Sequence, residues 1–218
     1  MELKLTKYGH ACVRLESEGT VVVIDPGAFS EPEALAGADA VLVTHDHFDH
    51  VAPDALRAAA AAEPGLQVWT NASVAAQFAD LGDRVHTVAH GDAFTVGGGA
   101  GIPVRVHGEK HAVIHSDIPV CDNVGFLVAD RVFHPGDAFT VPEEPVSTLL
   151  VPVSGPWLKL GEVIDFVRAV GPREAYLIHE ALLSEIGLQT AEQMVGRLAG
   201  GEGRSLSRLA SGQTVVLA

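Results

Sequence analysis

His45-Asp46-His47-Phe48-Asp49-His50 decides how this chain is to be read. Six residues carry three imidazoles and two carboxylates, directly after the apolar run Ala40-Val41-Leu42-Val43-Thr44, a strand of the kind buried on both faces. Imidazole and carboxylate are borderline-to-hard ligands suited to Zn, Mn, Fe or Ni. In a loop, His45 and His47 alternate and can point the same way, while Asp49 and His50 face a neighbouring point. One hexapeptide can thus serve two metal ions a few ångströms apart. The bland alternative is a polar turn with solvated histidines, which the density of ligand types argues against.

A site of this kind needs further ligands from other strand ends, because open sheets place their sites at the carboxyl ends of strands. His111 lies just past the strand expected at 102–107, Asp137 follows the strand at 131–134 through Pro135-Gly136, and His179 follows Tyr176-Leu177-Ile178. Asp25 sits after Val21-Val22-Val23-Ile24 and opens the turn Asp25-Pro26-Gly27. His107 and His115 compete with His111. His10 and His134 stand near turns and are candidates to line a pocket, as are His115, a possible substrate contact, and Trp157 within Ser154-Gly155-Pro156-Trp157.

The remaining pattern is mixed α and β. Strands are expected at 3–6, 11–16, 20–24, 40–44, 66–69, 84–88, 92–96, 102–107, 123–128, 131–134, 148–151, 175–178 and 214–217. Helices are expected after Pro53 to about residue 62, at 73–80, at 161–170 and, from a capping-box pattern at Thr190-Ala191-Glu192-Gln193, up to residue 198. Residues 20–27 weakly echo 130–137, and each segment is followed by an apolar strand. Two similar halves suggest two sheets packed face to face with helices outside. No linker divides the chain, so residues 1–218 are expected to form one domain.

Composition narrows the function. Twenty-eight acidic residues against 14 basic ones leave a formal charge of −14, a field that repels phosphate backbones, so nucleic acid is not an expected partner. No apolar stretch is long enough for a membrane helix, and the N-terminus lacks the basic start and apolar segment of a secretory signal. The expected setting is the cytoplasm and the expected partner a small-molecule substrate. Cys12 and Cys121 are far apart in sequence and are read as buried structural thiols. No G-x-S-x-G elbow offers a serine nucleophile.

The order Asp25, the His45–His50 cluster, His111, Asp137, His179 resembles the motif series of the metallo-β-lactamase superfamily. Tyr8-Gly9-His10, Asp25-Pro26-Gly27 and His134-Pro135-Gly136-Asp137 are similar to the branch with ascorbate-6-phosphate lactonase and uncharacterised bacterial Zn-dependent hydrolases. The resemblance implies a four-layer αββα sandwich and two divalent ions, zinc first, with Mn, Fe or Ni as alternatives. It implies His45, His47 and His111 on one ion, Asp49, His50 and His179 on the other, Asp137 bridging both, and Asp25 buttressing the ligand loop. The implied chemistry is hydrolysis of a small ester, lactone or phosphoester by a water whose pKa the two ions lower to about 7. Asp49 and Asp137 are the candidate catalytic carboxylates, with Asp49 able to pass a proton to the leaving group. A non-catalytic metal-binding or regulatory domain with the same ligands is the alternative. An iron redox enzyme fits less well, since redox members carry Glu where this chain has His47.

Overall fold

A computed structural model describes residues 2–99, 101–201 and 203–217 of the chain. The strands are β1 (Leu3–Lys7), β2 (Val13–Ser17), β3 (Thr20–Ile24), β4 (Ala40–Val43), β5 (Gln67–Thr70), β6 (Val85–Thr87), β7 (Ala93–Val96), β8 (Ile102–His107), β9 (Gly125–Val128), β10 (Val132–His134), β11 (Thr148–Pro152), β12 (Glu174–Ile178), β13 (Ser205–Ser207) and β14 (Thr214–Leu217). They form two sheets of seven, β14-β1-β2-β3-β4-β5-β6 and β13-β12-β11-β10-β9-β8-β7. The first four strands of the first sheet's order pair antiparallel, and β3 to β6 pair in parallel. The second sheet repeats the plan, antiparallel from β7 to β10 and parallel from β10 to β13. The weak echo between residues 20–27 and 130–137 is therefore real. Both segments end the strand where pairing switches from antiparallel to parallel.

Period-two alternation places one apolar set between the sheets and another beneath the helices. Leu3, Leu5, Val13, Leu15, Val22, Ile24 and Leu42 of the first sheet meet Val104, Val106, Phe126, Val128, Val132 and Leu150 of the second in the central core. The opposite face of the first sheet, Val23, Val41, Val43 and Val68, is covered by Leu56 and Ala60 of α1 (Pro53–Ala62) and Val74 of α2 (Ala72–Gln77). The second sheet turns Leu127, Phe133, Leu149 and Val151 toward α3 (Leu160–Val170) and α4 (Glu185–Ala199). Strands β4, β9 and β11 are buried along their whole length, as strands covered on both faces must be. The result is the expected αββα sandwich.

Helix ends follow local chemistry. Pro53 opens α1, where its missing N–H has no partner to lose. Gly171 at φ 65° closes α3 in the left-handed conformation, its N–H donating to Val167 O. The start of α4 corrects the sequence reading. The Ser184 side chain accepts from Gly187 N–H and starts the helix at Glu185, five residues before the suggested capping box. Thr190 sits inside the helix, with its hydroxyl donating to Ile186 O. Gly187 in the first turn breaks the apolar periodicity and hid this start. Strand β13 was also unforeseen, because three residues of Ser-Leu-Ser at a sheet edge carry no alternating apolar signal.

The parallel strands position the site. Asp25 follows β3, Thr44 and His45 follow β4, Asp137 follows β10, and His179 follows β12. These loops share one end of the sandwich, and a longer excursion after β8 brings His111 to the same place. The shared inter-sheet core holds the two sets of loops in register. Phe126→Ala should therefore destabilise the protein by about 3–5 kcal/mol in urea unfolding, as for other buried Phe truncations. Val216→Ala, at an exposed edge-strand position, should change stability by no more than ~0.5 kcal/mol. Equal effects of the two substitutions would contradict this placement of the core.

Candidate metal centre

The floor of the site is the buried carboxylate of Asp25, at φ 51°. Its Oδ1 accepts from Thr44 N–H at 2.8 Å, and its Oδ2 accepts from the Thr44 hydroxyl at 2.7 Å and from His50 Nδ1 at 2.6 Å. These contacts assign tautomers. The single Thr44 hydroxyl proton goes to Asp25, so Thr44 Oγ1 can only accept from His45 Nδ1, 2.9 Å away. With both Nδ1 atoms carrying protons, the Nε2 lone pairs of His45 and His50 are directed away from the floor. Gly27 lets the two loops meet, since a Cβ there would lie 1.9 Å from Asp49 O.

Above this floor the ligand-type atoms fall into two groups. His45, His47, His111 and Asp137 form one, and His10, Asp49, His50 and His179 the other, with the offered atoms of each group within 4.8 Å of one another; a smaller, more open set of Asp46, His47 and Cys121 meets the same distance and shares His47. His45 Nε2 and His47 Nδ1 are 3.1 Å apart. His111 Nδ1 donates to Ala112 O at 2.5 Å, which leaves its Nε2 bare and 3.4 Å from Asp137 Oδ2. Asp137 stands between the groups. Its Oδ1 is 3.1 Å from His50 Nε2, and its Oδ2 is 3.1 Å from His179 Nε2. Among the described residues, His50 Nε2, His111 Nε2, His179 Nε2 and Asp137 Oδ1 are buried without a hydrogen-bond partner. Buried polar atoms left bare are costly, and several converging on one place fit a bound cation.

The family model for the β-lactamase superfamily domain matches residues 4–179. The chain belongs to the metallo-β-lactamase superfamily. Protein Rv0786c of Mycobacterium tuberculosis is 38% identical over 188 residues, covering 84% of this chain and 86% of that protein. The UPF0173 protein PF0020 of Pyrococcus furiosus is 30% identical over 191 residues, again 84% and 86%. Among solved structures, Igni18 of Ignicoccus hospitalis, described as a novel metallo hydrolase, superposes with a TM-score of 0.75 at 18% identity, covering 100% of this chain and 99% of that one.

Within this superfamily architecture, further groups hold the site's loops. Asp137 N–H donates to Asn123 Oδ1, and Asn123 Nδ2 donates to Pro135 O. Ser154 Oγ donates to the carbonyl of His179, which itself sits at φ 62°. Trp157 is buried beside the candidate ligands. Its Nε1 donates to Asp137 Oδ2 at 2.7 Å, and its ring packs against Phe139. His10 is also buried. Its Nδ1 accepts from Ala181 N–H, which leaves Nε2–H to donate to Asp49 Oδ2 at 3.1 Å. His134 is fully buried, its Nε2 donating to Ala11 O and its Nδ1 accepting from Gly136 N–H, so it holds a turn and faces no pocket. His115 lies out on the loop, accepts from Asp117 N–H and joins neither group. Cys12 is buried as expected, but Cys121 is half-buried with its Sγ 3.8 Å from His47 Nε2.

Thr44, Asn123 and Ser154 escaped sequence reasoning because hydroxyl and amide residues are common at strand ends. Only Thr44, directly before His45, carried a positional hint. Lys7, almost wholly buried, pairs with Glu180 at 2.6 Å beside His179 and was likewise unforeseen.

Charge is arranged for cation binding. Burial and the charge on neighbouring His50 hold His45 well below the ordinary histidine range, so it is neutral, the form that ligates; His50 itself, against its burial, is held well above that range by Asp137 and Asp25. Burial works against ionisation of Asp137, but His50, His111 and His179 hold its carboxyl well below the usual range. Replacing Asp25 with Asn keeps a residue type that tolerates the left-handed backbone but weakens the acceptor that assigns both tautomers. Asp25→Asn is expected to lower metal affinity about 10- to 100-fold in chelator competition, with the circular dichroism spectrum unchanged. Unaltered affinity would remove Asp25 from this role.

Proposed function

We propose that this chain is a metal-dependent hydrolase whose centre holds two divalent ions, zinc first among Zn, Mn, Fe and Ni, and that it cleaves a small ester, lactone or phosphoester. The observation that carries the reading is Asp137, lying between two groups of ligand-type atoms, several of them without a hydrogen-bond partner, that could each hold one cation. Curated relatives from Aeropyrum pernix and Nitratidesulfovibrio vulgaris are named UPF0173 metal-dependent hydrolases, which supports the same class of activity here.

In this reading His45, His47 and His111 would hold one ion, Asp49, His50 and His179 the other, with Asp137 between the two groups. Such ions, when bound, would supply a water of lowered pKa and Lewis-acid polarisation of the scissile bond. The chain's own residues do the rest. Asp25 and Thr44 fix the imidazole tautomers, so His45 and His50 present lone pairs without a rearrangement. Trp157 and Asn123 hold Asp137 from its side chain and its backbone. The Asp49 carboxylate is the more open of the two ligand carboxylates, with its side chain 14% exposed against 3% for Asp137. Anchored by His10, it is the group placed to take a proton from the attacking water and pass it to the leaving oxygen. We place the enzyme in the cytoplasm, acting on small molecules with both cysteines as free thiols.

Reconstituted protein should contain two equivalents of metal by elemental analysis and turn over at least one member of a panel of generic esters, lactones and phosphodiesters. His47→Ala and Asp137→Ala should each cut that turnover more than ~100-fold, beyond what loss of an outer partner produces. A fully metallated protein that cleaves nothing in the panel would refute the catalytic reading.

A further inference from the structure

The loops that carry the proposed ligands also carry the largest exposed apolar side chains near the site. Phe48 lies inside the ligand hexapeptide and is 63% exposed. Phe29, four residues after Asp25, stacks edge-on against Phe48 at 5.4 Å and against His10 at 5.3 Å. Val113, Ile118 and Val120 ride on one loop whose base is closed by His111 N–H donating to Cys121 O and whose first residue, Ala112, donates to Asp137 O. Leu182 stands one residue past Ala181, whose N–H is bonded to His10. All six are exposed. Each rides on a loop that these contacts anchor to the centre, and Phe29 and Phe48 touch directly, so the six are placed to serve as an apolar collar. Isolated exposed apolar residues are ordinary, but a contiguous set rimming a polar centre marks a binding surface.

Positive charge is missing from the same loops. Residues 26–31, 45–52, 111–121, 137–145 and 179–184 contain no Lys or Arg, but do contain Asp46, Asp117, Glu143, Glu144 and Glu180. Two cations close to the ligand loops are already paired. Lys110 pairs with Asp122 at 2.5 Å, and Lys7 is buried against Glu180. A phosphorylated substrate ordinarily meets Arg or Lys at its non-reacting oxygens, and this rim offers none.

We infer that the substrate is an uncharged carboxylic ester or lactone bearing an apolar chain of several carbons, and not a phosphoester. This rests on the hydrolytic reading above and narrows it. The balance of the step is simple. Water oxygen bonds to the carbonyl carbon, the acyl C–O bond breaks, one water proton passes to the departing alkoxide, and the other is released as the acid ionises. The chain stays on the collar while the carbonyl reaches the centre, so apolar contact sets which esters are selected.

The test uses metal-loaded full-length protein and p-nitrophenyl esters from acetate to decanoate, beside p-nitrophenyl phosphate and bis-p-nitrophenyl phosphate. The expected result is kcat/KM rising about 2- to 4-fold per added methylene before a plateau, with both phosphoesters far below the long esters. Val113→Ser and Leu182→Ser should flatten that slope with metal content unchanged. A flat profile, or preference for a phosphoester, overturns the inference while leaving the hydrolytic reading intact. Calorimetric titration with decanoate and acetate judges the collar independently of turnover. Decanoate should bind at least ~10-fold tighter, and equal binding overturns the inference even if no ester is cleaved. A flat profile accompanied by a change of oligomeric state in the serine variants would assign the collar to self-association instead.

Discussion

One buried carboxylate, Asp25, holds the site's ligand loop in place. It accepts from a backbone amide, a hydroxyl and an imidazole at 2.6–2.8 Å, and all three donors belong to the segment Thr44 to His50. A carboxylate with no solvent contact is tolerable only when its oxygens are fully engaged. Here that requirement does structural work. It fixes the Thr44 hydroxyl, which fixes the His45 tautomer, and it fixes the His50 tautomer directly. The lone pairs left over then face the same space from two sides. Without the clamp, six polar side chains crowded into this region would have several competing hydrogen-bond arrangements.

The fold makes this convergence possible by repeating itself. In each sheet pairing changes from antiparallel to parallel at one strand, β3 or β10, and the loop after each of these strands carries an acidic residue of the site. Asp25 lies beneath the ligand loop, and Asp137 reaches between the two ligand groups. The apolar inter-sheet core keeps the two strand ends at a fixed separation. The short distances around Asp137 are thus consequences of packing far from the chemistry, as expected where rigid elements carry a site on their loops.

Much of this was legible in the sequence. The apolar strand before His45, the ligand density of the hexapeptide and the strand-end positions of Asp25, Asp137 and His179 are local features with strong periodic or compositional signals. His111 was separable from His115 only by where a strand stops, and the structure brings His111 and not His115 to the ligand groups. The hydrogen bonds of His10, His134 and Trp157, all candidates to line a pocket, were not legible. Their partners, Asp49, Ala11 O and Asp137, lie 39, 123 and 20 residues away in sequence, and no local pattern encodes such contacts. The start of α4 was misread because Gly187 interrupts the apolar stripe and Ser184 caps it from outside the suggested window. The apolar collar was equally hidden, since single valines and phenylalanines in loops mean little until the loops are folded together.

The central claim is that the two groups of side chains around Asp137 each grip one cation. A crystal structure of metal-loaded protein, with anomalous differences collected at the metal edge, tests it most directly. The account requires two peaks, one bounded by His45, His47 and His111 and one by Asp49, His50 and His179, with Asp137 reaching both. A single peak, or one sitting instead among Asp46, His47 and Cys121, would contradict it.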